Sequence, residues 1–283
     1  MIDLHTHSYF SDGTDAPEEL IAQAKAAGVN VIALTDHNTV GGVRRFLDEA
    51  KAQGVLGVAG IEFSTEYEKK ELHILALLVK EQYFDEIEAK MVELKQRKEK
   101  SNRALVQKLQ ERGYDISFEG LVQKYNSVNI NRAHIAATLT ETGQTPSIKD
   151  AFAHLLGEEC GIYIPPKRLD TFETIAYIRE IGAIPILAHP YLQFNQEELE
   201  VFLPLAIERG LLGMEVDYSM YSEETTAAAH KTAEKYGLLL SGGSDHHGRN
   251  KPHITLGKGQ GNLEIPESYW DAIFSKYQEI QGA

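Results

Sequence analysis

Two stretches of the chain alternate short apolar runs with helical patterns, one from the start to about residue 80 and one after residue 165. This rhythm predicts βα units and a mostly parallel sheet, because parallel neighbours need a crossover segment between them. The predicted strands cover residues 2–4, 29–34, 56–59, 72–79, 183–188, 212–216 and 238–241. The predicted helices cover residues 17–27, 41–53, 172–181, 196–209, 223–236 and 267–277. The fold class is therefore α/β.

The middle of the chain has a different pattern. A charged helical stretch spans residues 83–113, and shorter helical segments follow near 118–125, 131–142 and 147–156. We predict an all-helical insertion or cap at residues 81–164, with the α/β domain formed by 1–80 and 165–283. Basic residues at 95–103 are interleaved with glutamates, which indicates a solvated helix face with i,i+4 ion pairs rather than a nucleic-acid surface.

Composition excludes several classes of protein. The 283 residues carry a net charge of −14, which disfavours sequence-blind binding to duplex nucleic acid and suits a small anionic substrate drawn in by metal ions. The only cysteine, Cys160, cannot form an intramolecular disulfide. There is no long uncharged apolar run, and the candidate ligands begin at His5, which leaves no room for a cleaved signal peptide. We expect a cytoplasmic protein that does not bind membranes.

Histidines and carboxylates recur where the predicted strands end. His5 and His7 end the first strand, His37 follows the second, and the other candidates follow later strands, except for His73, which lies inside a predicted strand. In closed parallel α/β sheets that rim carries the active site, because the βα loops converge there. The candidate metal ligands are His5, His7, Asp12, His37, Glu62, His73, His189, Asp245 and His247.

Nine candidate ligands exceed the needs of one ion. One metal takes about four protein ligands, so the set predicts two or three divalent ions that share a carboxylate, either Glu62 or Asp245. Imidazole mixed with carboxylate and no thiolate suits Mn, Fe or Zn better than Ca or Mg. The alternative is that two or three of these histidines are structural.

Six motifs resemble those of the polymerase and histidinol phosphatase (PHP) family of metal-dependent phosphoesterases, namely HTHSYFSDGT, ALTDHN, GIEFST, ELHILAL, ILAHP and GSDHHG. They cover residues 1 to 248, and the closest similarity is to stand-alone members such as nucleoside 3',5'-bisphosphate phosphatases. The resemblance implies a distorted (β/α)7 barrel with a helical cap after the fourth strand. It also implies a centre of three metal ions, which could be manganese. It implies that His5, His7, Glu62 and Asp245 hold one metal. Glu62 and His73 serve a second, and Asp12, His37, His189 and His247 complete the second and third.

The resemblance also implies catalytic residues outside the metal ligands. The segment Asn131-Arg132-Ala133-His134 matches an arginine and histidine pattern that clamps phosphate in relatives, although alanine replaces the usual proline. Arg132 would then balance charge on the phosphoryl group. His134, or His37 with Asp36 behind it, would protonate the leaving group. In GSDHHG, His246 stands where relatives carry an aromatic residue, so His247 is the ligand by register.

These expectations describe a phosphatase for a small phosphate monoester. A metal-bridging hydroxide would attack phosphorus, and the preferred substrate would be a nucleotide such as a nucleoside 3',5'-bisphosphate. Arg132, Lys167, Arg168 and Arg249 are candidates for contacting a second phosphate. The alternatives are a histidinol-phosphate phosphatase, a cyclic phosphodiesterase and a short-oligonucleotide 5'-exonuclease. More remote are a carbon-centred amidohydrolase, which commonly has a bridging lysine where this chain has His73, and a non-catalytic metal-binding module.

Overall fold

The computed structural model describes residues 1–125, 130–166 and 168–282, and it divides into two compact units. The barrel unit comprises Met1–Glu88 with Leu169–Ala283, and the helical unit comprises Ala89–Arg168. Across the described ranges, no helix is long and apolar enough to cross a membrane. Lys167 lies outside the described residues, so its predicted role in phosphate reading has no structural account.

Most of the strands and helices lie close to their predicted positions, but the third strand extends eight residues past its predicted end at residue 59, and the strand Leu169–Asp170 was not predicted. The strands are β1 (Ile2–Asp3), β2 (Val31–Leu34), β3 (Leu56–Tyr67), β4 (Lys70–Leu77), β5 (Leu169–Asp170), β6 (Ile184–Leu187), β7 (Gly213–Tyr218) and β8 (Leu239–Gly243). The helices are α1 (Pro17–Ala27), α2 (Val43–Gln53), α3 (Phe84–Glu111), α4 (Phe118–Tyr125), α5 (Arg132–Glu141), α6 (Ile148–Ala151), α7 (Thr171–Glu180), α8 (Gln196–Glu208), α9 (Glu223–Tyr236) and α10 (Glu267–Gln281). A single π-helical turn, Phe152–Leu156, continues α6.

Seven strands form a nearly closed barrel in the order β1-β2-β3-β4-β6-β7-β8, and the short β5 pairs with β3 outside this path. Backbone hydrogen bonds join the first and last strands, from Leu4 N to Gly242 O at 3.1 Å and from Asp245 N to His5 O at 2.8 Å. Gly243 permits this approach, since a Cβ there would lie 2.3 Å from the Cβ of His5. The predicted α/β fold, a distorted seven-stranded barrel with a helical insertion after its fourth strand, is confirmed.

Strand β4 departs from the expected parallel arrangement, because it runs antiparallel to both β3 and β6. Glu68 and Lys69 form a two-residue turn between β3 and β4, and both have left-handed φ angles of 48° and 66°. A two-residue turn of this kind makes a hairpin, and a hairpin makes its strands antiparallel. This turn was not predictable from the sequence, because Glu-Lys lacks the glycine or asparagine that usually marks such turns.

The reversal of β4 explains the position of His73. This residue lies near the start of β4, and its carbonyl accepts a hydrogen bond from Ala188 N, just beyond the C-terminal end of β6. The start of an antiparallel strand meets the ends of its parallel neighbours, so His73 lies at the same rim as the other candidate ligands. Glu62 was expected to follow the third strand, but it lies inside β3, which continues to Tyr67 to pair with β4.

The helical unit has its own hydrophobic core. Buried residues of α3, α4 and α5 form it, including Leu109, Leu121 and Ile135, and the segment around Leu156 packs on the same cluster. The chain enters this unit within α3, whose 28 residues begin in the barrel unit at Phe84. A separate core is what a helical domain needs to bury the apolar faces of its own helices.

Candidate metal centre

All nine candidate ligands lie in the barrel unit, and the structure brings them together at one rim of the sheet. His5, His7 and Asp12 follow β1, His37 follows β2, Glu62 lies in β3 and His73 in β4. His189 follows β6, and Asp245 and His247 follow β8. The close approach of the loop after β1 depends on Gly13, where a Cβ would lie 2.4 Å from the carbonyl oxygen of His7.

The carboxylate of Glu62 is at the centre of the cluster. It is fully buried, and five imidazole rings from four separate segments face its two oxygens. The distances from its oxygens to the ring nitrogens are 3.2 Å for His5, 3.3 Å for His7, 3.0 Å for His37, 2.9 Å for His73 and 3.2 Å for His189. A carboxylate in this position can bridge two cations, which fits the bridging role predicted for Glu62.

A second part of the cluster contains Asp12, Asp245 and His247. Asp245 Oδ1 lies 3.2 Å from His7 Nε2, and Asp12 Oδ1 lies 3.2 Å from His247 Nε2. His247 Nδ1 lies 2.8 Å from the backbone carbonyl oxygen of Asp245, so it carries the proton and leaves the Nε2 lone pair facing Asp12. The side chain of Asp12 is 55% exposed, and the cluster therefore opens to solvent on this side.

The donor atoms form four overlapping groups in which all ligand atoms lie within 4.8 Å of one another. The groups are His7, Asp12, His37 and His247; His5, His7 and Asp245; His5, Glu62 and His189; and His37, Glu62 and His73. Each of the nine predicted residues belongs to at least one group. Shared members such as Glu62, His5 and His7 are what a site for several neighbouring cations requires.

Unsatisfied polar atoms show that the residues fit divalent cations. Among the described side chains of the cluster, seven buried atoms have no hydrogen-bond partner: His5 Nε2, both ring nitrogens of His7, His37 Nδ1, Glu62 Oε2, His73 Nδ1 and His189 Nδ1. Buried polar groups are normally paired, and those that are not need an explanation. Imidazole nitrogens and carboxylate oxygens that converge without hydrogen bonds are accounted for by metal ligation.

The electrostatics of the cluster also indicate a lack of positive charge. Burial lowers the pKa of His7, but Asp245 and Glu62 outweigh it and raise that pKa to about 9. Burial likewise lowers the pKa of His73, while Glu62 and Glu71 raise it to about 10. For His37 burial dominates and lowers the pKa to about 4. Burial opposes ionisation of Glu62, yet the surrounding histidines hold its pKa well below the usual range. The carboxylates therefore hold protons on nearby imidazoles, where bound cations would take their place.

Asp36 does not support His37, contrary to the sequence-based expectation. Its Oδ1 accepts hydrogen bonds from Ser8 N at 2.8 Å and Ser11 Oγ at 2.6 Å, and its Oδ2 accepts one from Ser8 Oγ at 2.6 Å. Asp36 therefore fixes the loop that carries Asp12. The ring of His37 instead faces Glu62 and Asp12.

Further residues that sequence reasoning missed contact the cluster, and Glu215, Tyr218 and Lys251 are three of them. Glu215 lies fully buried in β7 and contacts His5 Nδ1 at 2.8 Å. Tyr218 and Lys251 both donate to Asp245 Oδ2 at 2.7 Å, which leaves Oδ1 facing the histidines. The one available signal was an acidic residue inside the apolar run of β7, because a glutamate is almost never fully buried without a partner.

His246 is a buried neighbour of the cluster rather than a member of it. Its Nδ1 lies 3.0 Å from Ile254 O and its Nε2 lies 2.9 Å from Asp15 Oδ2. Both ring nitrogens are therefore used, which agrees with the register that left His247 as the candidate ligand. Of the cations considered for a second phosphate, Arg249 lies in the short helix Gly248–Asn250 that follows His247, and Arg168 ends the helical unit.

Arg132 and His134 lie in the first turn of α5, within the helical unit. The Arg132 guanidinium donates to Leu156 O at 3.1 Å and lies 4.2 Å from the ring centroid of Tyr163. His134 Nδ1 accepts a hydrogen bond from Asn131 N at 3.2 Å, and its ring packs 4.4 Å from that of Tyr125. Burial and then Lys98 lower the pKa of His134, so the ring is neutral near pH 7, with its proton on Nε2.

The chain is similar in sequence to known phosphoesterases. The family model of the PHP domain matches residues 3–158. A 5'-3' exoribonuclease of Haemophilus influenzae is 32% identical over 272 residues, which cover 94% of this chain and 95% of the relative. A phosphoribosyl 1,2-cyclic phosphate 1,2-diphosphodiesterase of Eggerthella lenta is 29% identical, with 89% of this chain and 97% of the relative covered. A 3',5'-nucleoside bisphosphate phosphatase of Chromobacterium violaceum is 27% identical, with 87% of both chains covered.

A solved structure shares the fold over nearly the whole chain. It is that of a protein from Bifidobacterium adolescentis described as a metal-dependent phosphoesterase. The TM-score is 0.68 at 26% identity, and the match covers 97% of this chain and 95% of the other. This chain therefore shares its fold with a metal-dependent phosphoesterase, and the names of its sequence relatives describe different phosphate esters.

Proposed function

The chain belongs to the PHP family of metal-dependent phosphoesterases and is a hydrolase, and from this premise we propose that it cleaves phosphate esters of nucleotides or short oligonucleotides at the nine-residue cluster. The observation that carries the proposal is the convergence of five imidazole rings on the buried carboxylate of Glu62. Two or three Mn, Fe or Zn ions bound there would neutralise phosphoryl oxygens and lower the pKa of water.

The side chains of the cluster contribute position and charge. Tyr218 and Lys251 hold Asp245 Oδ2, so that Oδ1 is presented to the cluster in a fixed direction. Asp36 fixes the loop that carries Asp12 on the solvent side, where a phosphate ester would enter. Phosphoryl transfer needs mainly positioning and charge neutralisation, so no nucleophilic serine or cysteine is required.

The roles proposed for Arg132, His134 and His37 derive from the family motifs. Arg132 would contact the non-bridging phosphoryl oxygens, since a guanidinium matches phosphate with two parallel N–H groups. His134 would donate from Nε2 toward the leaving oxygen, which suits a neutral ring whose Nδ1 is already occupied. His37, whose pKa is lowered by burial, is neutral and serves as a metal ligand in this proposal.

The substrate we propose first is a short single-stranded RNA cleaved from its 5' end. The relative with 32% identity over 94% of this chain is a 5'-3' exoribonuclease, and its match is more extensive than that of the phosphatase. The net charge of −14 is compatible with a short polyanion but disfavours a long one. The second candidate is a nucleoside 3',5'-bisphosphate, which is favoured by the relative that is 27% identical over 87% of both chains.

The test compares products from manganese-loaded protein. A 3'-labelled oligoribonucleotide should shorten stepwise from its 5' end, and its kcat/KM should exceed those for adenosine 3',5'-bisphosphate, 5'-AMP, histidinol phosphate and a cyclic phosphodiester. Higher kcat/KM for the bisphosphate would favour the second candidate. Hydrolysis of an amide or lactone with every phosphate ester inert would contradict the proposal. His189→Asn serves as the control for contaminating phosphatase, because it removes one imidazole from Glu62.

A further inference from the structure

The buried carboxylate of Glu215 contacts two candidate ligands that come from different strands. Its Oε1 lies 2.8 Å from His5 Nδ1, in the segment after β1. Its Oε2 accepts a hydrogen bond of 2.7 Å from the backbone N–H of His189, after β6. Both oxygens are therefore engaged, and each acts on a residue whose ring faces Glu62.

The contact with His5 determines which ring nitrogen faces the cluster. An ionised carboxylate can only accept hydrogen bonds, so His5 Nδ1 must carry the proton. His5 Nε2 then points its lone pair at the cluster, 3.2 Å from Glu62 Oε2, without a hydrogen-bond partner of its own. A metal-ligating histidine commonly has its other nitrogen held by a carboxylate in this way.

The contact with His189 holds a backbone conformation that few residues adopt. His189 has a φ of 27°, which is costly for a residue with a Cβ. Glu215 Oε2 accepts a hydrogen bond from the backbone N–H of this strained residue. Such a conformation persists only when the surroundings stabilise it, and Glu215 is a buried group that does so.

A β-bulge aims Glu215 into the barrel. The pairing of β7 with β8 shifts register between Glu215 and Asp217. In a regular strand these two side chains would share a face, but Asp217 instead contacts His230 of α9 at 3.1 Å and Tyr269 of α10 at 2.8 Å. Bulges re-aim side chains next to active sites, and this one separates two acidic residues of the same strand.

We propose that Glu215 is a positioning residue of the metal centre, which fixes the tautomer of His5 and the backbone of His189 so that both rings present a free nitrogen to the cations. This inference rests on the proposed function, because it requires that the cluster bind metal. Only a group with two acceptor oxygens can make both contacts. Glutamine has one oxygen and one NH₂ group. If its NH₂ group faced His189, two donors would meet, and if it faced His5, the His5 proton would have to move to Nε2.

The experiment measures Mn²⁺ and Zn²⁺ affinity of the full chain by competition with a chromogenic chelator. Glu215→Gln should weaken binding by about 10- to 100-fold, as expected when a carboxylate behind a ligating histidine is removed. The matched control is Asp217→Asn, an equally conservative change on the same strand that also removes a carboxylate from a histidine. It should bind both metals like the parent protein.

A second measurement does not depend on the folding of any variant. In the zinc-loaded parent, nitrogen-15 NMR should show His5 with a proton on Nδ1 and the metal on Nε2. Unchanged affinity in Glu215→Gln, or a parent His5 without a proton on Nδ1, would overturn the inference and leave the proposed function standing. A parent protein that binds neither metal would overturn both.

Discussion

The barrel unit and the helical unit hold their candidate functional residues in opposite ways. At the barrel rim, seven buried ring and carboxylate atoms have no hydrogen-bond partner within the described cluster. In the helical unit, Arg132 and His134 already bind Leu156 O and Asn131 N and pack on aromatic rings. Unpaired buried polar groups are costly, so the rim is built for a ligand that the chain does not supply. The side chains of Arg132 and His134 in the first turn of α5 already have partners within the chain.

The largest effect expected from this comparison follows from Glu62→Gln. The change keeps the shape of the side chain but removes the charge that five imidazole rings face. We expect loss of bound metal and a fall in kcat/KM of roughly a thousandfold, which corresponds to about 4 kcal/mol. Metal analysis and phosphate-release kinetics measure this. Glu66→Gln, on the same strand beyond the rim, is the matched control. Full metal content in Glu62→Gln would show that the Glu62 carboxylate is not needed to bind the metal ions.

The helical unit should respond differently. His134→Ala should lower kcat by about 100-fold, the low end of the range for a proton donor, while the metal content stays at the level of the parent protein. Kinetics together with metal analysis test both parts. His154→Ala is the control, because His154 lies in the same unit and pairs with Asp150 at 3.1 Å on the surface. If His134→Ala loses metal, the residue acts through the metal centre and the contrast between the two units fails.

The sequence allowed the rim to be predicted because most of the candidate ligands lie within, or a few residues after, an apolar run that is typical of a strand. His5, His37 and His189 follow such runs within a few residues, and parallel strands place their ends together. The direction of β4 was not predictable, because Glu68 and Lys69 adopt left-handed φ angles without a turn signature in their sequence. His73 was therefore expected in the middle of a parallel strand, whereas the antiparallel direction of β4 places it at the rim.

Glu215 was not found for a different reason. Its partner His5 is 210 residues away, and the bulge that turns Glu215 inward and Asp217 outward leaves no mark in the sequence. A strand pattern predicts that residues two apart share a face, so both acids would have been given the same environment. Motifs at strand ends thus predict which residues meet, while supporting contacts depend on the pairing of strands far apart in the chain.

The pH dependence of stability tests the charge balance at the barrel rim. In the metal-free protein the pKa of His7 is raised to about 9 and that of His73 to about 10, both above the value of about 6.5 expected on unfolding. Their contribution to the free energy of unfolding is therefore complete below about pH 6.5 and is lost as the pH rises through these values. Thermal unfolding of metal-free protein should show a falling Tm over this range. His73→Gln should flatten the curve and His253→Gln, at an exposed site, should not. A flat curve for the parent would contradict the charge balance described for the rim.

The smallest effect concerns two equivalent helix caps, one in each unit. Asn131 Oδ1 accepts from His134 N at 3.0 Å at the start of α5, and Asn195 Oδ1 accepts from Glu198 N at 2.9 Å at the start of α8. Replacing either asparagine with alanine should cost about 1 kcal/mol in unfolding free energy, because one helix N–H loses its acceptor. The two variants should differ in kinetics, since only the first turn of α5 carries Arg132 and His134. Denaturant unfolding and kcat measured side by side would show equal losses of stability with reduced kcat for Asn131→Ala alone. Equal kcat in both variants would mean that the first turn of α5 does not position catalytic groups, and the helical unit would then contribute through its fold only.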